Sequence, residues 1–148
     1  MNASANLEKE KFKKYLFKLQ RQSNKWVEEL DFIEDEQLFL EHLLSAHFLD
    51  LSSKELYEPA KKLIQKLKDV EKMNNELSIE IQTHHKHLAT LVESLQVNAR
   101  NEIRKEQKRI KKDFAAFELK FRYVKKKIFK MIKDIMKDNK QKLLLKNQ

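Results

Sequence analysis

The sequence predicts an all-α protein, and within that class a long antiparallel three-helix bundle with up-down-up topology and coiled-coil-like heptad packing. Apolar residues recur at alternating steps of four and three along three segments of similar length, which is the spacing of a coiled-coil seam. The 148 residues include no glycine and a single proline, which disfavours hairpin-rich β structure. Short polar stretches join the segments, and short connections make neighbouring helices antiparallel.

Helix one is predicted over residues of about 6–50. The four-three alternation does not slip along this segment, so the pattern predicts one continuous helix. The polar residues 21–25 are its weakest stretch, because Ser23 or Asn24 could cap a new helix there. A kink near Ser23 is therefore left open. The predicted seam consists of Phe12, Leu16, Leu19, Ser23, Trp26, Leu30, Ile33, Gln37, Leu40, Leu44, His47 and Leu51.

Helix two is predicted over residues of about 55–97. Ser52 and Glu55 have the spacing of a capping box, and Pro59 falls near the first turn, where its missing amide proton costs little. At the other end, Asn98 is predicted to take the left-handed conformation that ends a helix, and Asn101 to cap the next one. The predicted seam consists of Leu63, Leu67, Val70, Asn74, Leu77, Ile81, His84, Leu88, Leu91 and Leu95.

Helix three is predicted over residues of about 101–139. Residues 140–148 carry no clear stop signal and are predicted to form a frayed tail. The length of the chain suits one domain, so residues 1–148 are predicted to form a single helical-bundle domain. The predicted seam consists of Ile103, Gln107, Ile110, Phe114, Phe117, Phe121, Val124, Ile128, Met131 and Ile135.

The predicted register brings polar seam residues together. Folding the chain about residues 55 and 99 places Gln37 opposite Asn74, with Val124 as the third member of the layer. Two facing amides can satisfy each other, whereas an amide buried alone is costly. The pattern therefore predicts a polar layer that fixes the register. A second layer is predicted from Trp26, His84 and Phe114.

Composition excludes several classes of function. The absence of cysteine excludes disulfides, thiol nucleophiles and cysteine-based metal sites, and the absence of glycine excludes glycine-rich phosphate loops. No apolar run approaches the roughly 20 residues that span a bilayer, and the first residues lack the apolar core of a signal peptide. We therefore expect a cytoplasmic protein with no cofactor and no evident small-molecule substrate.

Titratable residues give only weak indications of a chemical site. His84 and His87 could share a metal on one helix face, but no histidine follows an Asp or Glu by three residues, as a di-iron bundle requires. Burial of His84 in the seam is the favoured interpretation, and a metal-binding bundle is kept as a lesser alternative. An acidic cluster is interpreted as a solvated face, so no enzyme is predicted. It comprises Glu28, Glu29, Asp31, Glu34, Asp35 and Glu36.

Charge is distributed unevenly along the chain. Residues 1–100 carry 15 Lys and Arg against 17 Asp and Glu, whereas residues 101–148 carry 17 against 6. Such a basic helix can bind phosphates without reading sequence, so a nonspecific binder of nucleic acid or anionic membrane is one predicted function. The alternative is that these lysines only solubilise the helix. The candidate anion-binding residues are Lys105, Lys108, Arg109, Lys112, Lys120, Arg122, Lys125, Lys126, Lys127, Lys130 and Lys133.

Several apolar residues lie off the three seams. Leftover apolar positions at helical spacing indicate that a further helix packs against them, from a second copy or from a protein partner. The favoured function is therefore a non-catalytic interaction or scaffold protein that associates with itself. The candidate contact residues are Phe32, Phe39, Leu43, Leu119, Tyr123, Phe129 and Met136.

Overall fold

A computed structural model describes the backbone of residues 2–147 and the side chains of residues 3–147. The elements are α1 (Asn2–Ala46), a short α2 (Phe48–Leu51), α3 (Tyr57–Ser94), a 3-10 turn (Val97–Ala99) and α4 (Arg100–Lys146). The described residues contain no strand. The predicted all-α class is confirmed, and the three long helices match the three predicted segments.

The fold divides into two compact units. Unit 1 consists of Met1–Phe32 and Met73–Ala116, and unit 2 consists of Ile33–Lys72 and Phe117–Gln148. Each long helix contributes one segment to each unit. A single domain for the whole chain stays a prediction.

Burial follows the predicted seams closely. In unit 1, Phe12, Leu16 and Leu19 pack with Leu88, Leu91 and Ile103 in one apolar cluster. Ile33, His47, Leu95 and Met131 are only half-buried, and Ala60 and Ile132 are buried in addition. The period of the apolar pattern therefore identifies the core almost completely. All the other predicted seam residues are buried, including the polar residues Ser23, Gln37, Asn74, His84 and Gln107.

The first connection differs from its prediction. Ser52 does not cap the helix that follows; it comes directly after α2, at its C-terminal end, and its Oγ donates to the backbone oxygen of Phe48 at 2.8 Å. The predicted capping box with Glu55 is therefore wrong, because α3 begins only at Tyr57. Pro59 does lie in the first turn of α3, where no amide proton is needed.

The second connection turns earlier than predicted. Helix α3 ends at Ser94, and Leu95 has a positive φ of 49°. Asn98, predicted to take this left-handed conformation, lies in the 3-10 turn. The physical reason is packing: Val97 and Ala99 lie against the apolar cluster of unit 1, so the chain must turn back before it reaches them.

The backbone of Leu95 provides a test of this turn. A left-handed conformation costs residues with a Cβ about 1–2 kcal/mol but costs glycine almost nothing. We expect Leu95→Gly to be more stable than Leu95→Ala by about 1 kcal/mol, the reverse of the order inside a helix. Both variants lose the same apolar side chain, so urea denaturation of the pair isolates the backbone term. A more stable alanine variant would contradict the positive φ.

Helix α4 continues to Lys146, so residues 140–146 are helical and the predicted frayed tail is wrong over this range. Its last turns contain Lys, Gln and Leu, which favour helix, and no residue that breaks one. Asn139, the predicted end, donates from Nδ2 to Asp50 Oδ2 at 3.3 Å, which fastens α4 to the α1–α3 connection of unit 2. Helix α1 is continuous from Asn2 to Ala46, so neither Ser23 nor Asn24 caps a new helix there.

The predicted polar layers are wrong in detail. Asn74 donates from Nδ2 to the backbone oxygen of Leu30 at 3.4 Å, and the buried Nε2 of Gln37 has no hydrogen-bond partner in the described residues. The two amides therefore do not satisfy each other. The Trp26 and Phe114 rings do stack, with centroids 6.2 Å apart. His84, however, bonds to Glu106 and Gln107 rather than joining that layer.

No helix among the described residues combines the length and the apolar character that crossing a bilayer requires. The cytoplasmic location inferred from the sequence stays a prediction.

Candidate functional site

An apolar face runs along α1 and α4 in unit 2. The Phe39 and Phe129 rings meet across it with centroids 6.3 Å apart, yet they remain 55% and 43% exposed. Leu43 lies one turn after Phe39, and Met136 two turns after Phe129, so helical spacing places them on the same sides of their helices. We call Phe39, Leu43, Phe129 and Met136 the aromatic face. It joins four of the seven predicted contact residues.

An ion pair borders the aromatic face. Lys125 Nζ and Glu36 Oε2 are 2.7 Å apart, and both side chains are partly exposed. Glu36 lies one turn before Phe39, and Lys125 one turn before Phe129. The edge of the face therefore carries one charge of each sign.

The other predicted contact residues lie elsewhere. The ring of Tyr123 has the ammonium of Lys66 5.0 Å from its centroid and that of Lys127 at 5.5 Å, so it faces cations rather than Phe129. Tyr123 also lines a cleft of about 400 Å³ in unit 2 together with Lys127 and Lys130. Phe32 and Leu119 are exposed without a described ring contact.

The structure neutralises part of the predicted basic surface. Arg109 pairs with Glu80, and Lys125 pairs with Glu36. Lys127 lies over Tyr123, as described above. Lys130 lines the cleft with Tyr123, and Lys108 is described below. The other six basic residues of the predicted set are exposed on α4 and form no ion pair in the described part of the chain. They are Lys105, Lys112, Lys120, Arg122, Lys126 and Lys133.

Lys108 instead lies in a groove of unit 1 that the sequence did not predict. This basic groove has a volume of about 610 Å³ and is formed by α1 and α4. The basic surface predicted from the sequence is confined to helix three, so it does not include the α1 side of this groove. The groove is lined by Tyr15, Lys18, Leu19, Arg21, Gln22 and Lys25 from α1, and by Arg104, Gln107, Lys108 and Lys111 from α4.

A hydrogen-bonded network of buried polar groups contacts the groove. Gln107 Nε2 donates to Gln22 Oε1 at 2.9 Å and lies 3.5 Å from the backbone oxygen of Leu19, which can only accept. This orientation turns Gln107 Oε1 toward His84 Nε2, while His84 Nδ1 contacts Glu106. Both ring nitrogens of His84 thus face oxygen atoms that can accept a hydrogen bond.

Glu106 completes this network between two histidines. Its Oε1 contacts His84 Nδ1, and its Oε2 lies 3.2 Å from His87 Nδ1. Burial opposes ionisation of Glu106, but the hydrogen bonds and charges of His84 and His87 outweigh it and lower the pKa of this carboxyl below its ordinary value. His85 is separate, with Nδ1 3.3 Å from Ser23 Oγ.

These contacts use the groups that a metal would need. Both nitrogens of His84 are occupied by Glu106 and Gln107, and His87 directs Nδ1 at the same carboxyl. Among the described residues, no group of three or more His, Asp or Glu side chains is placed to hold a metal ion. The metal-binding alternative stays a prediction.

A second titratable pair lies in unit 2. Glu71 and Glu41 line a mostly apolar cavity of about 480 Å³ with residues such as Phe48 and Tyr57. Burial, together with the hydrogen bond and negative charge of Glu41, raises the pKa of Glu71 to about 7, against the opposing charge of Lys68. Glu71 Oε1 is buried without a hydrogen-bond partner in the described residues. The two carboxyls can bond to each other only when one of them is protonated.

Comparison of this chain with protein-family models, curated proteins and solved structures finds no match. Function therefore has to be argued from the surfaces described above.

Proposed function

We propose that the three long helices form an antiparallel three-helix bundle with coiled-coil-like packing. The contacts support it. As the residue number along α1 increases, the residue number of its partner on α3 decreases, whereas the residue number of its partner on α4 increases. In unit 1 these contacts are Ser23–His85, Leu30–Asn74, Gln22–Gln107 and Trp26–Phe114. In unit 2 they are Glu41–Glu71, Glu36–Lys125, Phe39–Phe129 and Asp50–Asn139.

On this framework the chain acts as a non-catalytic interaction or scaffold protein that associates with itself through the aromatic face of unit 2. The observation that carries the proposal is the Phe39–Phe129 contact, which leaves both rings about half exposed instead of buried in the core. Aromatic side chains that are exposed together in this way are the residues on which binding energy concentrates in interfaces.

A second copy of the chain fits this face better than a partner of one charge. In a two-fold dimer the same patch meets itself, so it must complement itself. The aromatic face has an apolar centre, and at its edge Glu36 and Lys125 supply one negative and one positive group. A strongly acidic or strongly basic partner would place a like charge against one of the two. The proposed partner is therefore another copy of this chain.

Self-association can be measured by sedimentation velocity between about 5 and 100 µM. We expect the wild type to dimerise in this range and Phe39→Asp or Phe129→Asp to weaken the dimer by at least about tenfold, which is roughly 1.4 kcal/mol. Ile79→Asp is the matched control, because Ile79 is an exposed apolar residue on α3, outside the aromatic face. A wild type that remains monomeric at 100 µM, or a control that weakens the dimer as much, would contradict the proposal.

A further inference from the structure

The lining of the basic groove in unit 1 is strongly cationic. Six of its ten lining residues are lysine or arginine, and none of the ten is acidic. None of the six forms an ion pair with an acidic side chain in residues 3–147, unlike Arg109 and Lys125 on the same α4 helix. Their positive charge is therefore uncompensated by the protein itself. These residues are Lys18, Arg21, Lys25, Arg104, Lys108 and Lys111.

The spacing of these residues follows from the two helices. On α1, Lys18 and Lys25 are seven residues apart, and on α4, Arg104 and Lys111 are also seven apart. Seven residues are two helical turns, or about 10 Å, so each wall presents its cations along one line. The two walls therefore carry two rows of cations.

The floor of the groove is polar and internally satisfied. Gln22 and Gln107 bond to each other, and the amide oxygen of Gln107 is turned inward to His84. The floor thus contributes no negative charge that would oppose an anion.

We infer that the basic groove binds single-stranded nucleic acid through its phosphates. A concave groove between two helices admits an extended chain, whereas a flat lipid surface reaches only its rim. Proteins that hold single strands without reading sequence use such a cationic groove to follow the backbone. Tyr15, the aromatic residue in this lining, packs against the apolar cluster and has the Arg100 guanidinium 4.6 Å from its ring centroid, so the proposed contacts are with the phosphates. The assignment does not rest on self-association, because the aromatic face belongs to unit 2.

The ligand class is tested by fluorescence anisotropy with a labelled 12-nucleotide oligothymidylate and the full chain, at salt concentrations from 50 to 200 mM. The groove variant is Lys18→Gln, Arg21→Gln, Lys25→Gln. Each lost phosphate contact makes the plot of log K against log salt concentration less steep by about 0.7. The slope of the variant should therefore be smaller in magnitude by about 2, and its affinity at 0.1 M salt should be on the order of 100-fold weaker. All three side chains lie at the groove surface rather than in the apolar cluster.

The matched control is Lys137→Gln, Lys140→Gln, Lys142→Gln. It removes the same charge from exposed positions of α4 outside the groove and should leave the slope unchanged. A second groove variant, Arg104→Gln, Lys108→Gln, Lys111→Gln, repeats the test from the other wall if the first variant does not fold. It should give the same loss.

Several outcomes would overturn the inference. Equal weakening by the control would show that net charge, not the groove, attracts the strand. If the wild type does not bind the oligonucleotide at 50 mM salt, the groove is not a site for single-stranded nucleic acid. Tighter binding of a 12-base-pair duplex would overturn the assignment to single strands. Sedimentation with phosphatidylserine vesicles that depends on the six groove residues, without binding of the oligonucleotide, would assign the groove to lipid headgroups instead.

Discussion

Replacing His84 with alanine should lower the free energy of unfolding at pH 7 by about 3 kcal/mol. The ring is almost completely buried and bonds through both nitrogens. Its loss leaves a cavity, strands the amide oxygen of Gln107 and removes the main partner of the Glu106 carboxylate. Chemical denaturation of the variant and the wild type measures the difference.

The pH dependence identifies the part of this loss that comes from charge. In the wild type the pKa of Glu106 is lowered, so its contribution to stability is present above the ordinary pKa and disappears as the pH falls through the lowered value. Without His84, Glu106 becomes protonated at a higher pH. The difference in the free energy of unfolding between the wild type and His84→Ala should therefore become smaller below about pH 4.5.

Two further variants show whether the loss of stability comes from the hydrogen-bonded network or from the removal of any histidine. His42 is exposed on α1, and His42→Ala should change stability by less than about 0.5 kcal/mol. The double variant His84→Leu, Gln107→Leu should recover part of the loss, because it also removes the Gln107 amide oxygen that the single variant leaves without a partner. If His84→Ala lowers the free energy of unfolding only slightly, and by the same amount at pH 4 and pH 7, the network does not stabilise the fold.

The sequence predicted the burial of His84 but not its partners. Burial follows from the local repeat of apolar residues, which places His84 on the seam between Ile81 and Leu88 whatever the neighbouring helices do. The partners depend on how far one helix is displaced along another. In contacts such as His84–Glu106 and Glu80–Arg109, the midpoint between the two residue numbers lies near 95 and not near 99. The reason is that the chain turns at Leu95.

The same distinction explains the groove and the aromatic face. Phe39 and Phe129 could be recognised as leftover apolar residues from each helix alone, and the structure brings them together. The basic groove could not be recognised, because Lys18 and Lys108 are far apart in the chain and join only through the offset of α1 against α4. A charge count of helix three alone overlooks the three basic residues that α1 contributes. Properties of one helix are readable from sequence, whereas sites shared by two helices depend on register.

The stability of the wild type should fall as the pH rises from about 4.5 to 7, and Glu71→Gln should remove that dependence. Glu71 has its pKa raised from its ordinary value of 4.5 to about 7 by burial and by Glu41. Between these values the folded chain holds a proton that the unfolded chain has released, so folding becomes less favourable as the pH rises. At pH 8 the folded state must keep two neighbouring carboxylates, one of them partly buried.

Glutamine cannot ionise, so Glu71→Gln should match the wild type near pH 4.5 and exceed its stability by on the order of 1 kcal/mol at pH 8. Glu41→Gln should act in the same direction by removing the neighbouring charge. Glu76→Gln is the matched control on α3, since Glu76 is exposed and should leave the pH profile unchanged. Urea denaturation at half-unit steps from pH 4.5 to 8.5 gives the four profiles. Parallel profiles for the wild type and Glu71→Gln would show that the Glu71 proton is released with its ordinary pKa, and that Lys68 offsets both burial and Glu41.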